Sequence, residues 1–338
     1  MILFENEPMC KHTSFKVGGP ARYFVKAENA DDLKEAFTLA RENKLPYFIL
    51  GNGTNLLVAD KGFDGIVITL AGKFSEITDL GNGAFNVGAA TPLSRFARTA
   101  MKQGFAGIHK LAGIPGTLGG AIYMNAGAYG QEIGTCCTKV TVLDSDGNIL
   151  EISNADCAFG YRQSIFSLRH CSASQDRFDS PMHEQVPAQS NLARHCEAGS
   201  RSNPSGTILS ATFQLPAASA EGKTVADLEA ELAECMAKRK ASQPLNMPNA
   251  GSTFKRLDKG AADMPQQIAP GYYIEQTGLK GYRIGGAEVS TLHANFIVNA
   301  GSATATDIKQ LSEFVQQKVT EKFGIELKRE IILLGKFE

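Results

Sequence analysis

Three places in the sequence carry polar side chains suited to proton transfer or charge stabilisation. They are the run GYRQS at 160–164 with Arg162, the run AGSTFK at 250–255 with Ser252, and Glu330 in an apolar segment. An arginine can stabilise a developing enolate, a serine can donate a proton, and a buried glutamate can position or protonate a reacting group. Each also has an ordinary explanation, since Arg162 can pair with a carboxylate, Ser252 can cap a turn and Glu330 can face solvent. The spacing alone does not show whether the three meet.

The run LAGIPGTLGGAIYMNAGAYG at 111–130 is the stretch around which the other motifs are arranged. Its small residues cannot build a core of their own, but they let the backbone lie close to another group and reach positive φ. Pro115 fixes one turn and supplies no N–H. The glycines after it can aim backbone N–H groups at an anion, which predicts a phosphate or cofactor site. The alternative is a tightly packed turn between two strands.

A second loop of small and polar residues, GNGTN at 51–55, lies between the apolar runs PYFIL and LLVAD. Two strands joined by glycine and asparagine can form a plain hairpin. The same loop can also be a second anion cradle. It is not the dinucleotide fingerprint G-x-G-x-x-G, because a strand rather than a helix follows it.

Composition limits the classes of protein to be considered. The 338 residues are 43% hydrophobic and 20% charged, which allows a sizeable core and argues against disorder. The net charge of −1 argues against a general polyanion binder. The seven cysteines form no CxxC pair, which predicts reduced thiols and no metal site. With no signal pattern and no apolar run of membrane-spanning length, we expect a soluble cytoplasmic protein.

Hydrophobic periodicity predicts a mixture of helices and short strands. The helices are expected at 29–43, 92–103, 224–240 and 306–323, and the strands at 46–50, 56–60, 65–70, 139–143, 149–152, 207–215 and 325–334. The two strands around 144–147 should form a hairpin. Because the elements do not repeat as βαβ units, the pattern predicts an α+β fold.

The segment 167–206 breaks this pattern, since polar and small residues dominate and no period survives. It contains Arg-His-Cys twice, at 169–171 and 194–196, but that spacing matches no zinc site. We interpret the segment as a solvated, poorly ordered insertion.

Five motifs together carry a resemblance to a known family. In order along the chain they are NGTNLL at 52–57, LAGIPGTLGGAIYMNAGAYG at 111–130, YRQSIF at 161–166, QPLNMPNAGSTFK at 243–255 and GLKGYRIGGAEVSTLHANFIVN at 278–299. They closely resemble the UDP-N-acetylenolpyruvoylglucosamine reductases, flavoenzymes that make UDP-N-acetylmuramic acid for bacterial peptidoglycan. The match runs from about residue 12 to 334 and leaves out only the insertion, and it is to the shorter-loop class of the family.

The resemblance implies the fold and its division. FAD would sit in the fold of the vanillyl-alcohol-oxidase-type (PCMH-type) flavoproteins, built from two α+β subdomains and followed by an α+β substrate-binding domain. The first subdomain is expected at 1–70 with the final strand at 326–338, the second at 71–217, and the substrate domain at 218–325.

The resemblance also implies which residues hold FAD, and they come from both small-residue stretches. They are Gly51, Asn52, Gly53, Thr54, Asn55, Leu56, Gly113, Ile114, Pro115, Gly116, Gly119, Gly120, Ala121, Asn125 and Gly127.

The implied reaction begins with reduction of FAD by NADPH, which then leaves. The enolpyruvyl sugar takes a hydride at its vinyl CH2 carbon and a proton at the carbon α to the carboxylate. Ser252 resembles the proton donor, and Arg162 and Glu330 resemble the pair that stabilises the enol-type intermediate. Residues expected to bind substrate are Tyr161, Arg239 and Lys255.

Partners and alternatives follow from the same resemblance. We expect a nucleotide-sugar substrate, no nucleic acid, no membrane and no obligate protein partner. An FAD-dependent oxidase or dehydrogenase of alcohols or hydroxy acids is one alternative, although an oxidase has no need of a carbon-acid donor such as Ser252. A non-catalytic flavin or nucleotide binder, or an enzyme inactivated by its insertion, is another.

Overall fold

The computed structural model describes residues 1–144, 146–170, 206–257 and 269–337. The chain forms two compact units. Unit 1 contains Met1, Lys26–Leu39 and Thr69–Cys235, and unit 2 contains Ile2–Val25, Ala40–Ile68 and Met236–Glu338. The three-part division expected from the sequence stays a prediction.

Helices and strands are mixed along the described residues without a regular βαβ repeat, as expected for an α+β fold. The helices are α1 (Ala30–Glu42), α2 (Leu93–Lys102), α3 (Leu118–Tyr123), α4 (Ile133–Cys136), α5 (Ile165–His170), α6 (Val225–Ser242), α7 (Pro270–Gln276) and α8 (Ala305–Phe323). The strands are β1 (Ile2–Pro8), β2 (Pro20–Ala27), β3 (Tyr47–Leu50), β4 (Leu56–Val58), β5 (Phe63–Leu70), β6 (Ile77–Gly81), β7 (Ala84–Gly88), β8 (Gly127–Ala128), β9 (Gln131–Glu132), β10 (Cys137–Leu143), β11 (Ile149–Ser153), β12 (Thr207–Gln214), β13 (Arg283–Ile284), β14 (Ala287–Val289), β15 (Ile297–Asn299) and β16 (Ile332–Leu334). No helix in these described ranges is long and apolar enough to cross a membrane.

Unit 1 is built on a five-stranded antiparallel sheet of order β11-β10-β12-β7-β6. The predicted hairpin is confirmed, with Val140 opposite Ile152 in β10 and β11. Alternate residues of the sheet are buried, as a one-sided sheet requires. Helix α2 packs Phe96 against Phe85 and Phe213, with ring centroids 5.8 and 4.9 Å apart. This core positions the segment that follows α2.

Most of unit 2 is organised around the sheet β1-β2-β5-β3 and helix α8. Helix α8 buries a stripe formed by Ile308, Leu311, Val315 and Val319. Its first turn is capped by Asp60, which accepts hydrogen bonds from Ala305 N at 2.7 Å and from Thr306 N at 2.9 Å. A carboxylate at this end offsets the unpaired N–H groups and the helix dipole.

Strand β4 does not pair with β3, so the loop at 51–55 is not a plain hairpin. Instead β4 pairs in parallel with β16, with Ile332 opposite Leu56. The hairpin alternative is therefore wrong, because the chain changes its hydrogen-bonding partner within the loop. The loop can thus present its backbone to something other than a neighbouring strand.

Two other predictions need correction. The final strand is Ile332–Leu334 rather than 325–334, because the residues before it pair with a loop and not with a strand. The insertion was expected from residue 167, but α5 continues to His170. Residues 171–205 of that segment, which include the cysteines of both Arg-His-Cys units, lie outside the described residues.

Candidate active site

The loop that carries Ser252 is held by Asn295 in unit 2. Thr253 N donates to Asn295 O at 2.8 Å, and Phe254 N donates to Asn295 Oδ1 at 3.0 Å. Asn295 Nδ2 in turn donates to Phe254 O at 2.9 Å. Phe254 is 2% exposed, so its ring anchors the loop in the core. A buried carboxamide with both ends satisfied fixes the backbone next to Ser252.

The same loop pairs with the segment before β16 and so brings Ser252 near Glu330. Phe254 and Arg329 form an isolated antiparallel bridge, and Glu330 N donates to Thr253 O at 2.8 Å. Ser252 is partly exposed, and among the described residues no partner is hydrogen-bonded to its hydroxyl. The structure therefore brings two of the three predicted catalytic residues together, and it leaves the Ser252 hydroxyl available as a proton donor.

Arg329 is directed away from this pairing towards α8. Its guanidinium donates to Ser312 Oγ at 3.2 Å and lies 3.6 Å from a carboxylate oxygen of Glu313. Main-chain pairing on one side and ion pairing on the other fix the backbone around Glu330.

The loop at 51–55 contacts the same segment through Asn55. Asn55 Nδ2 donates to Glu330 O at 3.0 Å, and Ile332 N donates to Asn55 O at 3.0 Å. One face of this loop is therefore attached to the segment that carries Glu330.

Gly53 allows the loop to approach a neighbouring backbone closely. Its φ is +59°, and a Cβ there would lie 2.1 Å from His12 O. Ser14 N donates to Gly53 O at 3.0 Å, which fixes the loop's orientation. Within the described residues, no acceptor binds the N–H groups of Asn52 and Gly53. Two adjacent N–H groups without acceptors are suited to bind an anion.

In unit 1 the stretch 111–130 folds as a short 3-10 helix at His109–Gly113 and then α3, so it is not a turn between two strands. Leu118 N donates to Thr91 O, and Gly119 N donates to Ala89 O, both at 2.8 Å. The N–H groups of Gly116 and Thr117 have no acceptor in the described part of the chain.

Thr91 Oγ1 is a buried hydroxyl beside this stretch. Of the buried side-chain nitrogen and oxygen atoms in the described ranges, it is the one without a hydrogen-bond partner. An unpaired buried hydroxyl is costly, which suggests that a bound group supplies its partner. Thr91 is not among the residues predicted from the sequence. A threonine that precedes a proline and an amphipathic helix is typical of an ordinary helix N-terminus, so its type and position gave no signal of a binding site.

These features fit a dinucleotide such as FAD. Each unit offers backbone N–H groups without acceptors on glycine-containing segments of the described chain, and unit 1 adds the Thr91 hydroxyl. Phosphates are bound in proteins by such N–H groups. By contrast, no group of three or more His, Cys, Asp or Glu side chains in the described ranges is arranged to hold a metal ion.

Arg162 lies in unit 1 on a tight turn before α5. Gly160 N donates to Gln163 O at 3.0 Å and Gln163 N donates back to Gly160 O at 3.2 Å, which leaves two residues at the tip. Arg162 has φ +54°, and its Nη2 donates to Gly127 O at 3.2 Å. Its guanidinium carbon lies 5.3 Å from the ring centroid of Tyr161. These two contacts help to orient the cation.

The three residues expected to bind substrate occupy different surroundings. Tyr161 is 45% exposed at the tip of the turn with Arg162. Lys255 lies three residues beyond Ser252 and is partly buried. Its main-chain N–H donates to Lys328 O at 2.9 Å. Arg239 lies in the last turn of α6, where its Nε donates to Gln243 Oε1 at 3.1 Å. Their roles stay predictions.

A cluster of charged side chains lies at the start of the glycine-rich stretch. Glu231 Oε2 accepts from His109 Nε2 at 3.1 Å and lies 2.9 Å from Lys110 Nζ, while its Oε1 lies 2.8 Å from Lys223 Nζ. These partners, Lys223 first, lower the pKa of Glu231 to about 2. Burial is the main cause that lowers the pKa of His109, so the ring is neutral at pH 7.

Comparison with known proteins gives consistent matches along the chain. Residues 243–334 match the family model for the C-terminal domain of UDP-N-acetylenolpyruvoylglucosamine reductase. Residues 21–153 match the model of an FAD binding domain. The first contains Ser252 and Glu330, and the second contains both small-residue stretches.

Curated relatives match over nearly the full length. A UDP-N-acetylenolpyruvoylglucosamine reductase of Caldanaerobacter subterraneus subsp. tengcongensis is 39% identical over 98% of this chain and 94% of its own. That of Alkaliphilus oremlandii is 36% identical over 99% of this chain and 94% of its own. The crystal structure of UDP-N-acetylenolpyruvylglucosamine reductase from Thermus caldophilus superposes with a TM-score of 0.71 at 30% identity, covering 99% of this chain and 98% of that one.

Proposed function

The chain belongs to the UDP-N-acetylenolpyruvoylglucosamine reductase family, and from that premise we propose how its own residues carry out the reaction. The activity is the NADPH-dependent, FAD-mediated reduction of UDP-N-acetylglucosamine enolpyruvate to UDP-N-acetylmuramate, a step of peptidoglycan precursor synthesis. Bound FAD supplies the hydride relay between NADPH and the vinyl carbon of the sugar. Given that substrate, we place the enzyme in the cytoplasm, without nucleic-acid, membrane or obligate protein partners.

The FAD is held by the two small-residue stretches. In unit 2 the N–H groups of Asn52 and Gly53 bind an anionic part of the cofactor. In unit 1 the N–H groups of Gly116 and Thr117, with the Thr91 hydroxyl, contact another part. Their lack of protein acceptors in the described chain supports this assignment.

Ser252 supplies the proton of the reaction. Hydride addition to the vinyl CH2 carbon places negative charge on the substrate carboxylate, and the proton of Ser252 Oγ then goes to the carbon α to it. Arg162 stabilises this charge as a cation, and Glu330 stabilises it as a positioned acid. Tyr161 shapes the site, while Arg239 and Lys255 bind the substrate's diphosphate or carboxylate.

One observation carries most of this proposal. Glu330 N donates to Thr253 O, so the residue after Ser252 is paired with Glu330 itself. Two residue types suited to proton chemistry, far apart in the sequence, are thereby held side by side on paired backbone. The nearby Ser252 hydroxyl is left without a partner in the described chain, as a proton donor to a substrate requires.

The test uses the FAD-loaded full chain, NADPH and UDP-N-acetylglucosamine enolpyruvate. We expect the substrate to accelerate NADPH oxidation and to be converted to UDP-N-acetylmuramate. If NADPH oxidation is unchanged by the substrate, the proposal is wrong. Reduction of the flavin by an alcohol or hydroxy acid instead would favour the oxidase or dehydrogenase alternative. Purified protein without flavin absorbance would favour the alternative of a non-catalytic nucleotide binder or an inactivated enzyme.

A further inference from the structure

Asn125 connects the glycine-rich stretch to the turn that carries Arg162, all within unit 1. Its side chain is 2% exposed. Asn125 Nδ2 donates to Gly160 O at 2.9 Å and to Glu132 Oε2 at 3.0 Å, while its Oδ1 accepts from Gly134 N at 3.0 Å. Both donors of the carboxamide and one of its acceptor sites are therefore used by the protein.

Two further hydrogen bonds join the same two segments. Ser164 Oγ donates to Tyr123 O at 2.8 Å, and Arg162 Nη2 donates to Gly127 O at 3.2 Å. Residues 123, 125 and 127 thus contact residues 164, 160 and 162, respectively. Asn125 makes the contact that reaches Gly160, the residue at which the turn begins.

The turn needs an anchor because its backbone is strained. Arg162 has a positive φ of +54°, which costs about 1 kcal/mol or more for a residue with a long side chain. The main chain of Gly160 and Gln163 is hydrogen-bonded across the turn. Gln163 is exposed.

Asn125 is itself firmly positioned. It has a φ of +43°, which asparagine adopts more readily than most residues. A Cβ on Gly134 would lie 2.8 Å from Asn125 Oδ1 and 2.7 Å from the ring of Phe159, so no larger residue fits against the carboxamide. Because its position is fixed, this side chain can hold the turn at a set distance from the glycine-rich stretch.

We propose that Asn125 is a positioning residue that sets the place of the Arg162 guanidinium relative to the glycine-rich stretch, and that its side chain, contrary to the expectation from the resemblance, does not bind FAD. This rests on the role proposed above for Arg162. The effect of Asn125 on the reaction is therefore confined to the step in which Arg162 stabilises charge on the substrate.

The experiment compares variants of the full-length holoenzyme. Asn125→Gly removes the carboxamide without straining the positive φ, and Asn125→Asp keeps its size but replaces the donor to Gly160 O by an acceptor. Asn148→Ala is the control, because Asn148 Nδ2 donates to Asp144 Oδ2 at 3.0 Å in the connection between β10 and β11, outside the Arg162 turn. Flavin reduction by NADPH and hydride transfer to the enolpyruvyl substrate are timed separately.

We expect both Asn125 variants to keep FAD and to be reduced by NADPH within about 2-fold of the parent. Hydride transfer to the substrate should slow by about 10- to 100-fold, since a displacement near 1 Å has effects of that size. The Asn148→Ala control should change neither step by more than about 2-fold. Normal hydride transfer in both Asn125 variants would overturn the proposal.

A double-mutant cycle separates positioning from a general loss of structure. In an Arg162→Lys background, Asn125→Gly should slow hydride transfer by less than about 3-fold, because the group that it positions is already gone. An equal slowing in both backgrounds would contradict the proposal. Limited trypsin digestion provides a readout without substrate: cleavage after Arg162 should be faster in Asn125→Gly than in Asn148→Ala. Unchanged cleavage there would overturn the anchoring, even if the protein proved to lack reductase activity.

Discussion

The side-chain amide of Asn55 donates a hydrogen bond of 3.0 Å to the main-chain carbonyl of Glu330, 275 positions along the chain. Ile332 N donates to Asn55 O, so the contact continues into the parallel pairing of β4 and β16. A loop proposed to hold the cofactor and a residue proposed to act on the substrate therefore share one rigid piece of backbone. Main-chain pairing thus adds to the Asn55 side-chain hydrogen bond in fixing their relative position.

Glu330→Gln should slow the reaction without disturbing this backbone. Glu330 pairs with Thr253 and Asn55 through its main-chain N and O, which the substitution retains, and glutamine has nearly the same shape. We expect flavin reduction by NADPH within about 2-fold of the parent and hydride transfer to the substrate slowed by about 100-fold or more, because the acid is lost. Stopped-flow measurement of the two half-reactions checks this, and equal slowing of both would argue against the assigned role.

Ser252→Ala should leave NADPH oxidation in the first half-reaction near normal and remove most turnover. Loss of a general acid typically costs about 100- to 10,000-fold. Ser219→Ala, at an exposed serine in the 3-10 helix Ala218–Glu221, is the matched control and should behave like the parent. Slow flavin reduction in Ser252→Ala would count against Ser252 as the proton donor.

Gly53→Ala should release FAD. Its φ of +59° already disfavours alanine, and the new Cβ would lie 2.1 Å from His12 O, so the loop must move. Gly222→Ala is the control, since Gly222 has φ +67° but nothing within 4 Å of its Cβ position. Both variants bear the backbone strain of about 1 kcal/mol. We expect FAD to bind Gly53→Ala at least about 10-fold more weakly than the parent, and Gly222→Ala to keep the parent's affinity. Flavin fluorescence on titration measures both.

Glu231→Gln should lower stability in a pH-dependent way. The folded pKa of Glu231, about 2, lies below the ordinary value of 4.5, so its contribution is fully present above about pH 4.5 and is lost as the pH falls towards 2. We expect the variant to be less stable by about 1 to 2 kcal/mol at pH 7, because charged hydrogen bonds to Lys223, Lys110 and His109 are weakened. Urea unfolding at several pH values should show this difference shrinking between about pH 4.5 and 3. A difference that stays constant over that range would contradict the assignment.

Much of the fold and part of the site follow from the sequence. The periodicity of apolar residues gives α2 and α8 almost to the residue, since one buried stripe fixes a helix locally. The β-hairpin of β10 and β11 is predicted for a similar reason, because its turn and its alternation are adjacent. The residue types of Ser252, Arg162 and Glu330 indicate proton and charge chemistry, and the order of the motifs identifies the family.

Only the tertiary structure decides contacts between residues far apart in sequence. Periodicity extends the last strand over 325–334, but the main-chain hydrogen bonds of Glu330 go to Thr253 and Asn55, so the strand begins at Ile332. The unpaired hydroxyl of Thr91 and the anchoring by Asn125 are equally invisible in the sequence. A hydrogen bond depends on distance and direction, and the local pattern of a sequence encodes which face is buried but not which backbone groups meet across it.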